Sequence, residues 1–218
     1  MNTGQIQLSQ TFGQWISKYA ADPRFTRYLE IGTWNGRGST YCLHDGFRKR
    51  SDAPVLQSYE IHKERCAEAA TLWASVPSIR VLYGRVLPNA QCPTYREVSE
   101  RFPNANPTWH REDVENFWAS PYLPPEDPEV VLFDGAEYLT WYEFDRVFKD
   151  MASVRVFLLD DTKTDKTPAI AAYLSAHPDW IQTAGSETER NGWAIFERRP
   201  QEVEEEVQTE ETNESPLE

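Results

Sequence analysis

Three aspartates close two apolar runs: "LFDGAEY" holds Asp134, and "LLDDT" holds Asp160 and Asp161. The runs themselves, "VVLF" and "VFLL", lack polar alternation and read as strands buried on both sides. The carboxylates then stand at neighbouring strand ends. Carboxylates converging in a crevice are costly unless a cation sits among them. Oxygen-only ligands select a hard ion such as Mg²⁺ or Ca²⁺. The opposing account is solvated acids capping helices, as Asp161 before Thr162 could do. A second constellation is "YLEIGTWNGRGST", residues 28–40, where Glu30 precedes Gly32, Gly36 and Gly38. The spacing G-x-x-x-G-x-G is not the dinucleotide fingerprint G-x-G-x-x-G. Glycine admits positive φ and lets a ligand touch the backbone; alternatively, the turn only packs helix against strand. An acid before the first glycine repels a pyrophosphate and suits a cationic group. Glu60 ends the next strand, where a carboxylate can accept both hydroxyls of a ribose. A site of this kind suits an amino-bearing nucleoside without phosphates.

These residues need strand ends to hold them, and the apolar spacing supplies the strands. "RYLEIG", "PVLQSYE", "IRVLYG", "EVVLFDG" and "VRVFLLDD" read as strands, with "WIQTA" and "WAIFERR" as a closing pair carrying the hairpin signal Asn191-Gly192. Helices are expected in "QTFGQWISKY", with Phe12, Trp15, Ile16 and Tyr19 on one face, and in "GSTYCLHDGFRKR", with Ser39 or Thr40 near its start. "KERCAEAATLWASV" has Cys66, Ala69, Ala70 and Trp73 at helical spacing, and "WYEFDRVFKDM" has Phe144, Val147, Phe148 and Met151. "TPAIAAYLSAH" opens on Pro168. The whole is an α/β chain: a doubly wound, mostly parallel seven-stranded sheet with an antiparallel closing hairpin. Residues 88–128 interrupt the rhythm with eight of the 15 prolines. One or two short helices are expected there, "REDVENFW" among them, in an insertion able to form a lid over the strand ends.

The formal charge is −13 over 218 residues, but residues 201–218 hold eight Glu and no Lys or Arg. Without that stretch 27 acids stand against 22 bases, so nucleic acid is a poor partner. Residues 1–200 are read as a single domain and 201–218 as an acidic disordered tail. Cys42, Cys66 and Cys92 have no paired spacing and fit free thiols in a reducing compartment. With no signal-like block and no membrane-length apolar run, a cytoplasmic chain without membrane contact is expected. A homo-oligomer is left open.

The glycine turn resembles the first motif, E-x-G-x-x-x-G, of the class I S-adenosylmethionine-dependent methyltransferases. Element order and the closing hairpin are similar too, over roughly residues 25–199. The resemblance implies a Rossmann-like methyltransferase fold with S-adenosyl-L-methionine as cofactor. By position, Glu30 and Gly32 would lie near its methionine part and Glu60 on its ribose, with Thr33, Gly36, Gly38, Ser39, Ile61, Gly84 and Asp134 completing the site. The strand-end acids resemble the metal-dependent O-methyltransferase branch, closest to the subgroup beside sugar, macrolide and cephalosporin tailoring enzymes, with its D-G-x-H-x-Y and D-D motifs. That implies Mg²⁺ at Asp134, Asp160 and Asp161, lowering the pKa of a small-molecule or sugar hydroxyl that receives the methyl group.

The chain departs where those families carry His or Lys as base, because Glu137 stands there. "MASVRV" also replaces their Gly-Gly turn. Either the base has moved, or Glu137 is a further metal ligand, or the metal chemistry has been lost. The candidate bases are Glu137 and His110 in "PTWHRED", with Trp109 and Trp118 as stacking surfaces for an acceptor. His62 is read as a helix cap or a nucleoside contact. A reading of another class stays open: a catalytically inactive member of the fold that binds a nucleoside or a partner protein. Truncation after Pro200 should leave the melting temperature nearly unchanged in a thermal scan; a drop of more than about 4 °C would mean that the tail docks on the body.

Overall fold

The structure, a computed structural model, describes residues 5–200; the acidic tail lies outside the described residues. Five parallel strands form in chain order: β1 (Arg27–Ile31), β2 (Val55–Glu60), β3 (Ile79–Tyr83), β4 (Val130–Phe133) and β5 (Val156–Asp160). The antiparallel pair β6 (Trp180–Ser186) and β7 (Trp193–Arg198) completes a seven-stranded sheet of order β3-β2-β1-β4-β5-β7-β6. The order reverses between β1 and β4, and ligands bind such sheets in the crevice at that reversal. β7 joins as expected by pairing antiparallel with β5, Asp160 opposite Trp193. Six residues, Glu187–Gly192, connect β6 to β7, so Asn191-Gly192 ends a longer loop.

Side chains alternate across the sheet. Tyr28, Val156 and Leu158 pack with α1 (Thr11–Ala20), α2 (Ser39–Phe47) and Trp73 of α3 (Lys63–Trp73) on one face. Leu29, Phe133, Phe157 and Leu159 pack on the other against Phe144, Phe148 and α7 (Pro168–Ala176). Cys66, Ala69 and Trp73 are buried as the α3 spacing requires, but Ala70 is exposed. Trp15 is only half-buried, at the edge of the α1 face.

The expected helix at "WYEFDRVFKDM" is α6 (Thr140–Glu143) running into a π-turn, Phe144–Phe148, where the Lys149 N–H donates to the Phe144 carbonyl at 2.8 Å. The wider turn keeps Phe144 and Phe148 buried while Val147 and Met151 are half-buried. The insertion holds α4 (Tyr95–Arg101) and α5 (Pro107–Ala119). α5 begins four residues before the expected Arg111: the Asn106 side chain accepts from the Thr108 and Trp109 N–H groups, and Pro107 fills the first turn. Val98, Val114 and Phe117 pack with Tyr138, Leu139 and Tyr142, which fastens the insertion to the segment after β4.

Gly32 takes φ +95°, and a Cβ there would stand 2.2 Å from the Asp134 carbonyl oxygen. What the backbone approaches at this glycine is therefore the end of β4. Gly32→Ala should destabilise the fold by about 2–4 kcal/mol, read as a fall in the urea midpoint, since both the left-handed φ and the contact oppose a side chain.

Candidate active site

A cleft of about 710 Å³, part of it open to solvent, lies outside the carboxyl ends of β1, β2 and β4. Gly32 and Trp34 line it from the first strand end, Glu60, Ile61 and His62 from the second, and Gly84 from the third. Asp134, Gly135, Ala136 and Glu137 follow from β4. The insertion contributes Asp113 and Phe117 of α5.

Glu60 is set by backbone donors. The Trp34 N–H reaches its Oε2 at 2.6 Å and the His62 N–H its Oε1 at 2.8 Å. Trp34 holds φ 53°, a left-handed value rare for a bulky residue. Its exposed ring carries the Arg65 guanidinium at 3.2 Å from the centroid. The Asn116 amide and the His62 ring nitrogen Nε2 stand 3.2 Å apart. His62 precedes the first turn of α3 but its side chain does not cap it. A fixed carboxylate, an aliphatic wall at Ile61 and an aromatic one at Phe117 form a set suited to ribose hydroxyls and a purine.

Asp134, Asp160 and Asp161 do converge, one oxygen of each within 4.8 Å of the others. Three side chains of the protein already meet them. The Lys166 Nζ lies 2.9 Å from Asp134 Oδ1 and 2.7 Å from Asp161 Oδ2. Arg190 donates to both oxygens of Asp160, at 3.2 and 2.8 Å. Asn191 Nδ2 donates to Asp161 Oδ1 at 3.0 Å. Burial raises Asp160 to about 7, with the Asp134 charge adding to it and Arg190 opposing. Asp161 is pulled the other way: Lys166, Asn191 and Arg190 overcome the cost of burial and hold it below the usual range. A divalent ion 4 Å from the ammonium would meet repulsion of roughly 8 kcal/mol at an effective dielectric of 20. It could enter only by expelling Lys166, which is 8% exposed and whose ion pairs are with these aspartates. The residues present do not fit a divalent metal.

A further acid pair closes the cleft. Glu143, at the junction of α6 and the π-turn, is buried at the cleft wall, and no described residue hydrogen-bonds its carboxyl. Burial pushes it up to about 8, and the Asp113 charge adds to this. Asp113 rises to about 6 for the same reason, although it accepts the Tyr138 N–H.

The structure brings Glu60, Ile61, Gly32, Gly84, Asp134 and Glu137 to one cleft. It does not bring Glu30 there. That carboxylate is fully buried beneath α2, accepting from the Thr40 hydroxyl at 2.7 Å and from Ser58. Thr33 shares a hydroxyl contact with Ser58, Gly36 accepts the Trp73 indole N–H at 2.9 Å, and Gly38 precedes α2, whose first residue is the buried Ser39. None of these four lines the cleft. His110 is also elsewhere, 4% exposed between the rings of Tyr95 and Tyr138 at 4.8 and 5.6 Å. Trp109 and Trp118 are exposed and do not line the cleft. Glu137 lines it but accepts the Asp165 N–H at 2.8 Å.

Sequence reading missed Lys166, Arg190, Arg65, Asp113 and Glu143. Three acids required a cation, and the bases in the two loops nearest them, "TKTDKTP" and "TERNG", were the available signal.

No family model matches the chain, and no curated protein matches it. Solved structures do. An O-methyltransferase from Bacillus cereus in complex with S-adenosylhomocysteine superposes with a TM-score of 0.59 at 14% identity, over 90% of this chain and 84% of that one. A methyltransferase from Podospora anserina with bound S-adenosylhomocysteine gives 0.54 at 13%, over 86% and 78%. The O-methyltransferase TomG from Streptomyces achromogenes, in complex with S-adenosylmethionine, gives 0.53 at 16%, over 86% and 79%. The fold is the class I methyltransferase fold. It places the cleft outside the sheet's switch point, where the strand-end residues meet.

Within that cleft, the raised Glu143 carboxyl makes stability depend on pH. The folded protein keeps its proton up to about 8, whereas an unperturbed Glu loses it near 4.5. Stability is therefore lost as pH rises between those values. Glu143→Gln should remove this loss, so that wild type falls behind the variant by up to about 1.4 kcal/mol per pH unit in urea unfolding across that window. Parallel curves would show Glu143 ionised in the fold.

Proposed function

We propose that the chain is an S-adenosylmethionine-dependent methyltransferase acting on the oxygen of a small-molecule acceptor, in a reducing compartment such as the cytoplasm. The observation that carries this reading is Glu60: a carboxylate held by two backbone N–H groups at the end of β2, facing a cleft at the switch point. The compartment is supported by three buried, unpaired cysteines. Among the described residues no helix is long and apolar enough to cross a membrane. The O-methyl assignment draws on the names of the O-methyltransferases with which the chain shares its fold.

Bound in the cleft, S-adenosylmethionine supplies a methyl group on a positively charged sulfur. The chain's own residues do the rest. Glu60 would accept the ribose hydroxyls and Ile61 and Phe117 would cover the purine, while the carboxylates lining the cleft favour a cation over a phosphate. Proton removal from the acceptor falls to a group within hydrogen-bond reach. Glu143 and Glu137 both border the cleft. Glu143 accepts a proton only in its ionised form, which burial confines to pH near and above about 8, while Glu137 is engaged by the Asp165 N–H. The second reading, a protein that binds the nucleoside and transfers nothing, is favoured by the departure at Glu137. Donor binding without turnover of any hydroxylated acceptor would select it.

Calorimetry should find micromolar-range binding of S-adenosylmethionine or S-adenosylhomocysteine. Glu60→Ala should weaken it by about 1.5–3 kcal/mol, the scale of a lost charge-assisted hydrogen bond. Binding of NAD or a nucleotide phosphate in place of both ligands would refute the reading.

A further inference from the structure

We propose that Lys166 is the resident cation of the acidic crevice, standing where the metal-dependent branch would hold its ion, so that this protein works without a divalent metal. The proposal rests on reading the cleft as a donor site, but its evidence is separate. Of the six oxygens of Asp134, Asp160 and Asp161, five already face protein donors: one on Asp134 and one on Asp161 for Lys166, both on Asp160 for Arg190, and one on Asp161 for Asn191. A metal would have to bind through groups that the protein has already engaged.

The arrangement is also built by the backbone. Asp161 and Arg190 both adopt left-handed conformations, φ 57° and 56°, which non-glycine residues keep only where surroundings enforce them. The loops that carry them are joined by backbone hydrogen bonds: the Thr162 N–H donates to the Gly192 carbonyl at 3.1 Å and the Lys163 N–H to the Asn191 carbonyl at 2.8 Å. The Thr167 hydroxyl donates to the Asp160 carbonyl at 2.6 Å. Lys166 is thus held over the strand ends from both sides of its own loop. It also lines the cleft. An ammonium has three N–H donors; two serve Asp134 and Asp161, which leaves one for an acceptor oxygen that enters the cleft. That is where negative charge grows as the hydroxyl loses its proton, and a fixed cation there stabilises it. The ligand class at this point is an oxygen that is anionic or becoming so.

The test is a Mn²⁺ titration followed by electron paramagnetic resonance of the free ion, with melting temperatures in Mg²⁺, Ca²⁺ and excess EDTA alongside. Wild type and Lys166→Arg should take up no stoichiometric Mn²⁺, and their melting temperatures should move by less than about 1 °C between metal and EDTA. Lys166→Met, which leaves the aspartates without their ammonium, should bind Mn²⁺ at least about tenfold more tightly than wild type and gain stability with the ion. Stoichiometric uptake by wild type overturns the proposal, and so does a folded Lys166→Met that gains no metal response. If Lys166→Met does not fold, the wild-type and Lys166→Arg titrations decide. S-adenosylhomocysteine calorimetry on the same wild-type sample reports on the donor reading independently, because absent donor binding would leave the metal result standing.

Discussion

Opposite charges at the ends of β4 and β5 organise this molecule. Asp134 ends one strand, Asp160 and Asp161 end the next, and Lys166 and Arg190 enter from two different loops to meet them. Three like charges this close would otherwise push the strand ends apart or keep protons they would normally lose. Removing one partner from such a buried set costs about 3–5 kcal/mol, because the remaining charge has no water to turn to. The network also fixes the sheet's less regular edge. Arg190 lies in the β6–β7 loop, so gripping Asp160 ties the antiparallel pair to β5 beyond the ladder that already joins Asp160 to Trp193.

Strain follows the same geography. Of the four non-glycine residues with positive φ among the described residues, Trp34, Asp161 and Arg190 border the strand ends. Asp127 lies elsewhere, before β4. Trp34 is held because its N–H must reach Glu60 while its ring stacks on Arg65. The π-turn after Glu143 belongs to the same pattern. Such turns are uncommon and recur at functional sites, and this one begins where an acid is presented to the cleft. Aromatic packing of Phe144 against Phe133 and Phe157 stabilises the turn, so the core, not local propensity, decides that departure from a regular helix.

The fold was legible in the sequence because unbroken apolar runs and helical spacing are direct consequences of burial. All seven strands formed where "RYLEIG", "VVLF", "VFLL" and their companions stand. Errors arose where a tertiary contact replaced a local rule. Ala70 has the right spacing but the α3 contact is narrower than its apolar stripe, and the "WYEFDRVFKDM" pattern cannot separate a 3.6-residue turn from a wider one. Glu60 could be read from its strand-end position. Glu30 could not, since the alternation that places Leu29 toward one face turns Glu30 to the other, under α2, among hydroxyls. His110 looked available because it lies in an insertion, yet that insertion has its own core with Tyr138 and Tyr142.

The acids at Asp134, Asp160 and Asp161 show most sharply what a motif leaves out. A sequence motif names ligands, while the cation that neutralises them can come from solution or from the chain. The two cases impose different demands. A bound ion requires oxygens free to coordinate it at about 2.0–2.6 Å, and so a crevice that stays open until the ion arrives. A lysine requires a loop short and constrained enough to hold an ammonium at hydrogen-bond distance, and here Lys166 lies five positions after Asp161 with Thr164 and Thr167 hydroxyls bonded back to Asp161 and Asp160 carbonyls. The crevice is then complete without a second component, and its charge is set by folding rather than by ion concentration. Preorganisation of that kind costs no rearrangement when a ligand enters, and Glu60 in the same cleft is fixed in advance too, there by the Trp34 and His62 backbone N–H groups.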